Sequence, residues 1–108
     1  MAEKSIVWVG SARRDARVFP KDARRLAGVQ LRLVQQGLDP FDWKPMSVIG
    51  TGVREIRIHT GLEHRVCYVA KFGEAVYVLH AFEKRTRTTS QRDVALARQR
   101  YQALFATR

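Results

Sequence analysis

Arg57, Arg65, Lys84 and Arg85 fall where strand spacing can bring them together. Arg57 lies in VREIRIH (53–59) and Arg65 in HRVCYVA (64–70). Lys84 and Arg85 close the apolar run AVYVLHAFEKR (75–85). If the first two segments form a hairpin, the register that pairs Ile56 with Val66 also sets Arg57 opposite Arg65. Like charges directly across a strand pair are unfavourable by a few tenths to about 1 kcal/mol, so a sheet that tolerates them needs an anion nearby. Lys84, Arg85 and Arg87 extend the positive face. Cleavage of RNA through its 2′-hydroxyl makes two demands. Cations must stabilise the extra negative charge of a pentacoordinate phosphorus, and a proton must leave the 2′-hydroxyl while another reaches the 5′-oxygen. Lys84 or His80 can carry the proton where burial or neighbouring cations lower the pKa. The candidate catalytic set is therefore Arg57, Arg65, His80, Lys84 and Arg85. Arg54, Arg87, Thr86 and Thr88 are candidate phosphate contacts.

Other chemistry finds less support. His59, His64 and His80 are scattered, with no carboxylate pair at ligand spacing, so no metal centre and no cofactor are expected. Cys67, the single cysteine, sits among apolar strand residues and reads as buried and inert. Glu55 reads first as an ion-pair partner of Arg57 or Arg65, and only second as a catalytic group. His80, inside an apolar strand, reads as a hydrogen-bonded core or rim histidine ahead of a proton carrier. Trp8 and Trp43 are expected to anchor core or loop rather than stack on bases. Arg24, Arg25 and Arg32 read as a solvated helix face.

These side chains need elements to position them. Ile6–Val9 favours a short strand. A brief helix is expected from Ser11 to Phe19. A second follows Pro20, with Ala23, Leu26, Ala27, Leu33 and Val34 as its apolar stripe, Gln30 as the interruption and Gly37 as the stop. The stretch 38–52, with two prolines and two glycines, reads as a loop. VREIRIH alternates strictly, placing Arg54, Ile56 and Ile58 on one face and Val53, Glu55, Arg57 and His59 on the other. With HRVCYVAK and AVYVLHAF it makes a three-stranded antiparallel meander. Ser90 and Asp93 have the spacing of a capping box. The helix they open carries Val94, Ala97, Tyr101 and Leu104 as its buried stripe. The fold class is α+β, as one domain over 1–108.

Charge is the compositional outlier. The chain carries 20 Lys and Arg against 10 Asp and Glu, a net +10, and fifteen of the 20 are Arg. Arginine's planar fork suits phosphate, so an anionic partner, above all nucleic acid, is expected. No secretory signal is read in MAEKSIVWVG, and no apolar run approaches a membrane span. The reading is a cytoplasmic protein without membrane contact.

The run REIRI (54–58), RVCYVAKFGEAVYVLHAFEKRTRTT (65–89) and DVALARQRY (93–101) resembles the HigB-type branch of the RelE/ParE toxin superfamily. The shared pattern is a strand with a basic residue, then R-V-x-Y and an apolar strand. That strand ends in H-x-F-x-K-[KR]-T, and a helix with A-x-x-R-x-Y follows. The resemblance implies a compact RelE-like fold, with a curved antiparallel sheet formed by the meander plus the N-terminal strand. A helical hairpin and a C-terminal helix would back that sheet. It also implies a type II toxin that cleaves mRNA on the ribosome without a metal and inhibits translation and growth. Its partners would be mRNA, the ribosome and a HigA-type helix-turn-helix antitoxin, with operator DNA reached only through the antitoxin complex. By the same resemblance Arg57, Arg65, Lys84 and Arg85 take the basic positions of the site. A terminal tyrosine or histidine used by some relatives has no counterpart here, since Tyr101 falls on the apolar stripe. The rival readings are a gyrase inhibitor of the same superfamily and a non-enzymatic nucleic-acid-binding module.

Overall fold

A computed structural model describes residues 3–107. The reading of the N-terminus rests partly on Met1 and Ala2, which lie outside the described residues. Eight elements follow one another: β1 (Ser5–Trp8), α1 (Ala12–Arg17), α2 (Lys21–Gln35), β2 (Trp43–Pro45), β3 (Val53–His59), β4 (Glu63–Val69), β5 (Ala75–Glu83) and α3 (Gln91–Thr107). The five strands make one sheet in the order β1-β5-β4-β3-β2. Helices cover both of its faces, which is the expected α+β class.

The meander β3-β4-β5 is antiparallel and carries the register inferred from the alternation, with Ile56 opposite Val66 and Arg57 opposite Arg65. Two features of the sheet differ from the sequence expectation. β1 joins β5 in parallel, so the sheet is mixed rather than wholly antiparallel. Within the stretch read as loop, Trp43–Pro45 forms an edge strand on β3, pairing Lys44 with Glu55. Proline is tolerated at such an edge because no ladder bond is asked of its missing N–H.

One face of the sheet (Ile56, Ile58, Val66, Tyr68, Val76, Val78, Ala81) packs on α1 and α2. On α2 the buried stripe is Ala23, Ala27, Gln30, Leu31 and Val34. Leu31 replaces the expected Leu33 because it continues the i, i+4 series from Ala23 and Ala27. The helix ends as the glycine suggested. Gly37 has φ 83°, and the Leu38 and Gly37 N–H groups return to the Leu33 and Val34 carbonyls at 2.9 and 3.0 Å.

The opposite face (Val53, Cys67, Val69, Tyr77, Leu79, Phe82) packs on Ala97, Tyr101 and Leu104 of α3. A fully buried Val, Leu or Phe contributes roughly 1.5–3 kcal/mol, so Leu104 and its partners on the sheet supply most of the docking energy of α3. Tyr101 is core, as expected, and its hydroxyl donates to the Thr51 carbonyl at 2.9 Å. Gly50 makes that packing possible, since a Cβ there would sit 2.4 Å from the Tyr101 ring.

β5 contains a bulge. Cys67 pairs with His80 but Tyr68 pairs with Val78, leaving Leu79 as the extra residue. A bulge sets two consecutive side chains on one face, and here His80 joins Leu79 on the α3 side, stacked 4.7 Å from Phe82. Arg100 of α3 donates to the Leu79 carbonyl at 2.9 Å and to Ser11 Oγ at 2.8 Å. Among the described residues, no helix is long and apolar enough to cross a membrane.

Candidate functional site

The meander delivers Arg57 and Arg65 to neighbouring positions on the α3 face, and each meets a carboxylate of the protein itself. Arg57, half-exposed, reaches Asp42 Oδ1 with Nε at 2.8 Å and Nη2 at 2.7 Å. Asp42 is held by backbone: its carbonyl accepts the Arg57 N–H at 2.8 Å, and its own N–H donates to Gln30 Oε1 at 3.2 Å. Gln30, the polar interruption of the α2 stripe, is only 3% exposed. It therefore fixes the loop that presents Asp42 to Arg57.

Arg65 is 4% exposed. Its Nη1 donates to the His64 carbonyl at 2.9 Å and its Nη2 to Glu63 Oε1 at 3.0 Å, while Nε stands 3.6 Å from Glu55 Oε1. The repulsion expected between Arg57 and Arg65 is thus offset from within. Asp42, Glu55 and Glu63 lie around the two guanidinium groups, and a buried charge is tolerated only where it is paired in this way. Of the two partners considered for Glu55, the structure selects Arg65.

His59 joins the two halves of this network, bonding Asp42 Oδ2 at 2.8 Å through Nε2 and Glu63 Oε1 at 2.7 Å through Nδ1. The Glu63 bond, then the Asp42 bond, raise its pKa above the usual histidine value. Glu63 is lowered, first by His59 and also by Arg65. Burial works to raise Asp42, but the bonds from His59 and Arg57 outweigh it and leave the carboxyl below its ordinary value.

Lys84 follows β5, and its backbone N–H donates to the Glu63 carbonyl at 2.7 Å, so the lysine continues the strand beside β4. Partial burial, then the positive charges of Arg65 and Lys44, lower its pKa from the ordinary lysine value; Glu55 and Glu63 pull the other way. Lys44 arrives from the unexpected strand β2, 3.9 Å from Glu55 Oε1. Lys44 and Arg65 therefore face Glu55 directly. Lys84 lies within electrostatic reach of all three, and Arg57 stands opposite Arg65 across the strand pair. Sequence reading had no means of finding Lys44, because a three-residue strand carries no usable alternation.

His80 lies beside this group but is nearly enclosed. Its Nε2 is 2.7 Å from Asp93 Oδ1, and its Nδ1 has no hydrogen-bond partner among the described residues. Asp93 Oδ2 also accepts from Ser90 Oγ at 2.7 Å, and Ser90 Oγ accepts the Asp93 N–H at 3.1 Å. The spacing read as a capping box is thus also what ties α3 to β5. His80, Lys84, Arg85 and Thr86 line one cavity of about 500 Å³ together with Arg14 and Arg92.

Arg85 is exposed and bonds Glu83 Oε2 at 3.0 Å through its Nε. Arg87 is exposed. Thr86 Oγ1 donates to the Thr88 carbonyl at 2.6 Å, so that threonine shapes the turn. Thr88 and Thr89 line a second cavity, between β2 and α3, of about 660 Å³ with Lys44 and Arg98 at its rim. Arg54 does not join this surface. It points to the α2 face, where it bonds Asp39 at 2.8 Å and lies over the Trp43 ring at 3.9 Å. The alternation sets it on the opposite face of the sheet from Arg57. Trp43 stacks on this arginine from the start of β2, in line with an anchoring role.

Cys67 is buried, and burial followed by Glu55 pushes its thiol pKa well above the ordinary value. Both disfavour the thiolate that reactivity requires. Among the described residues no three His, Cys, Asp or Glu side chains are grouped so as to hold a metal ion.

A family model described as "Phage derived protein Gp49-like (DUF891)" matches residues 14–102, which include every residue of the cluster just described. No curated protein matches the chain.

Proposed function

Starting from the fact that this chain belongs to the phage derived Gp49-like family, we propose that it is the toxin of a type II toxin–antitoxin pair. In this reading it is a HigB-type mRNA endoribonuclease of the RelE/ParE superfamily, acting in the cytoplasm as one RelE-like domain. It cuts mRNA on the ribosome, arrests translation and growth, and is neutralised by a HigA-type helix-turn-helix antitoxin. That complex, rather than the toxin alone, contacts operator DNA.

The observation that carries the proposal is the grouping of Lys84 with Arg65 and Lys44, beside Arg57. A lysine whose pKa is lowered by burial and neighbouring cations has more of the neutral amine near neutral pH, which is what a general base requires. Lys84 takes the proton from the 2′-hydroxyl as that oxygen attacks phosphorus. The bond to the 5′-oxygen breaks, the 5′-oxygen is protonated from solvent, and a 2′,3′-cyclic phosphate and a 5′-hydroxyl end result. Arg57, half-exposed, contacts the phosphate through the guanidinium N–H groups that Asp42 leaves free. Arg65, almost fully buried, acts through its field on the negative charge that grows at phosphorus. Arg85, Arg87 and Thr88 lie at the exposed rim and attract and align the strand. His80 stands behind Lys84 and orients the end of β5 through Asp93.

Induced expression in a bacterial host separates the alternatives. Growth arrest with new transcript ends inside translated frames supports the ribonuclease. DNA damage with intact transcripts assigns the chain to gyrase inhibition. RNA binding by the purified protein with no cutting, with or without ribosomes, assigns it to a binding module.

A further inference from the structure

Glu55 is an unusual residue to find where it is. It is a carboxylate in the middle of β3, 0% exposed, between two strands and beneath a loop. Removing such a group from water is costly unless the surroundings repay it. Three separate segments converge on its two oxygens. Oε2 accepts a hydrogen bond from Thr89 Oγ1 at 2.8 Å, which fastens the loop between β5 and α3. Oε1 faces Arg65 Nε at 3.6 Å from β4 and Lys44 Nζ at 3.9 Å from β2. Neither Oε1 nor Arg65 Nε has a hydrogen-bond partner among the described residues. The two atoms therefore hold each other by charge across a gap slightly too long for a hydrogen bond.

We propose that Glu55 is a positioning residue for the cation cluster. It completes the hold on the Arg65 guanidinium at its Nε side and pins the loop through Thr89. Lys44 and Lys84 then meet the phosphate from set positions, while Arg65 acts on it through its field from a fixed one. The proposal rests on the ribonuclease reading for its kinetic consequence, though not for its geometry. A role as the proton acceptor is disfavoured by the burial of the carboxylate, which leaves it no open path to a 2′-hydroxyl. Fold stability alone would be served by a hydrogen bond to Oε1, yet the Arg65 and Lys44 donors both stand beyond hydrogen-bond distance of it. Glu63 also holds Arg65, through Nη2. The His64 carbonyl holds Nη1 as well, so replacing Glu55 leaves the arginine fastened at its two terminal nitrogens but without the countercharge that faces Nε.

Glu55→Gln removes the charge while keeping an oxygen that can accept from Thr89. Thr89→Val keeps the ion pair and unties the loop. Both are compared with wild type by single-turnover cleavage of a translated mRNA and by affinity for a 2′-O-methylated RNA that cannot be cut. A third readout is the Arg65 Nε–H resonance in ¹H–¹⁵N spectra, assigned by its loss in Arg65→Lys. Misplacing a catalytic cation by about 1 Å costs on the order of 100-fold in rate. Glu55→Gln is accordingly expected to lower the cleavage rate about 10- to 100-fold, without weakening RNA affinity, and to shift or broaden the Arg65 resonance. Thr89→Val is expected to slow cleavage by a smaller factor and to leave that resonance in place. An unmoved Arg65 resonance in folded Glu55→Gln overturns the proposal, as does loss of affinity in proportion to rate. Unchanged cleavage in Thr89→Val overturns the role assigned to the loop. If wild type cuts nothing, the ribonuclease reading fails, and the resonance still decides whether Glu55 positions Arg65.

Discussion

Replacing Asp93 by alanine tests the junction that holds the end of β5 against α3. In wild type the Asp93 carboxylate accepts from His80 Nε2 at 2.7 Å and from Ser90 Oγ at 2.7 Å. His80 is buried and its Nδ1 already lacks a hydrogen-bond partner among the described residues. Asp93→Ala removes the Nε2 partner as well, and stranding one buried polar atom costs about 1–3 kcal/mol. Ser90 Oγ still receives the residue 93 N–H, so only the part of the cap that orients the serine is lost, about 0.5 kcal/mol at the low end of capping effects. Together these amount to about 1.5–3.5 kcal/mol. A domain of about 100 residues loses about 4–8 °C in Tm per kcal/mol, so the expected drop is about 6–28 °C. Circular dichroism melts of wild type, Asp93→Ala and Asp93→Asn provide the measurement. Asparagine retains an acceptor oxygen and should recover at least half of the loss. A Tm for Asp93→Ala within about 3 °C of wild type, equivalent to about 0.5 kcal/mol, would show that the His80 bond does not hold the junction.

Two glycines should respond in opposite directions. Gly50→Ala forces a Cβ to within 2.4 Å of the Tyr101 ring and should cost about 1–3 kcal/mol, whereas Gly28→Ala in α2 meets nothing within 4 Å and should gain about 0.4–1 kcal/mol, both read from urea midpoints. The Asp42–His59–Glu63 network should make stability peak in mild acid. The raised His59 pKa stabilises the fold below its unfolded value of 6.5, and this is lost as pH rises through the folded value. The lowered Asp42 and Glu63 values stabilise it above 3.8 and 4.5, and this is lost as pH falls through their folded values. His59→Gln should flatten the alkaline side of that profile in chemical denaturation, and added salt should shrink the whole effect because these groups are partly exposed. For activity, the wild-type cleavage rate should rise with pH as Lys84 deprotonates, from a pKa below 10.5. Lys84→Arg, which keeps the charge but cannot give up its proton, should lose that rise and about 10²–10⁴-fold in rate. A pH profile unchanged in Lys84→Arg would remove Lys84 from the proton transfer.

The parts of the molecule that were legible in the sequence are those with a period. Strict alternation in VREIRIH fixed which residues share a face, and the apolar match of Ile56 with Val66 then set Arg57 opposite Arg65. The α3 stripe and its Ser90–Asp93 start were equally readable. What lacked a signal was short or irregular. β2 has three residues, and so Lys44 and its pairing with Glu55 were invisible. The β5 bulge breaks the period of 2 that strand reading relies on, so the side on which His80 lies could not be counted along the strand. The carboxylates around the arginines posed a different difficulty. The like-charge pair correctly called for an anion, but periodicity does not say that the nearest anions belong to the chain itself. Asp42 comes from a loop held by Gln30, whose polar break in an apolar stripe was the one hint of it.

End-mapping on a translated message with purified protein asks whether Lys84 and Arg57 act on the scissile phosphate of mRNA. Wild type should produce cuts within the reading frame that end in 2′,3′-cyclic phosphate and 5′-hydroxyl. Lys84→Ala and Arg57→Ala, each confirmed folded, should each reduce those cuts by about 10²-fold or more. Undiminished cutting in both folded variants, or wild-type ends of another chemistry, would contradict the account.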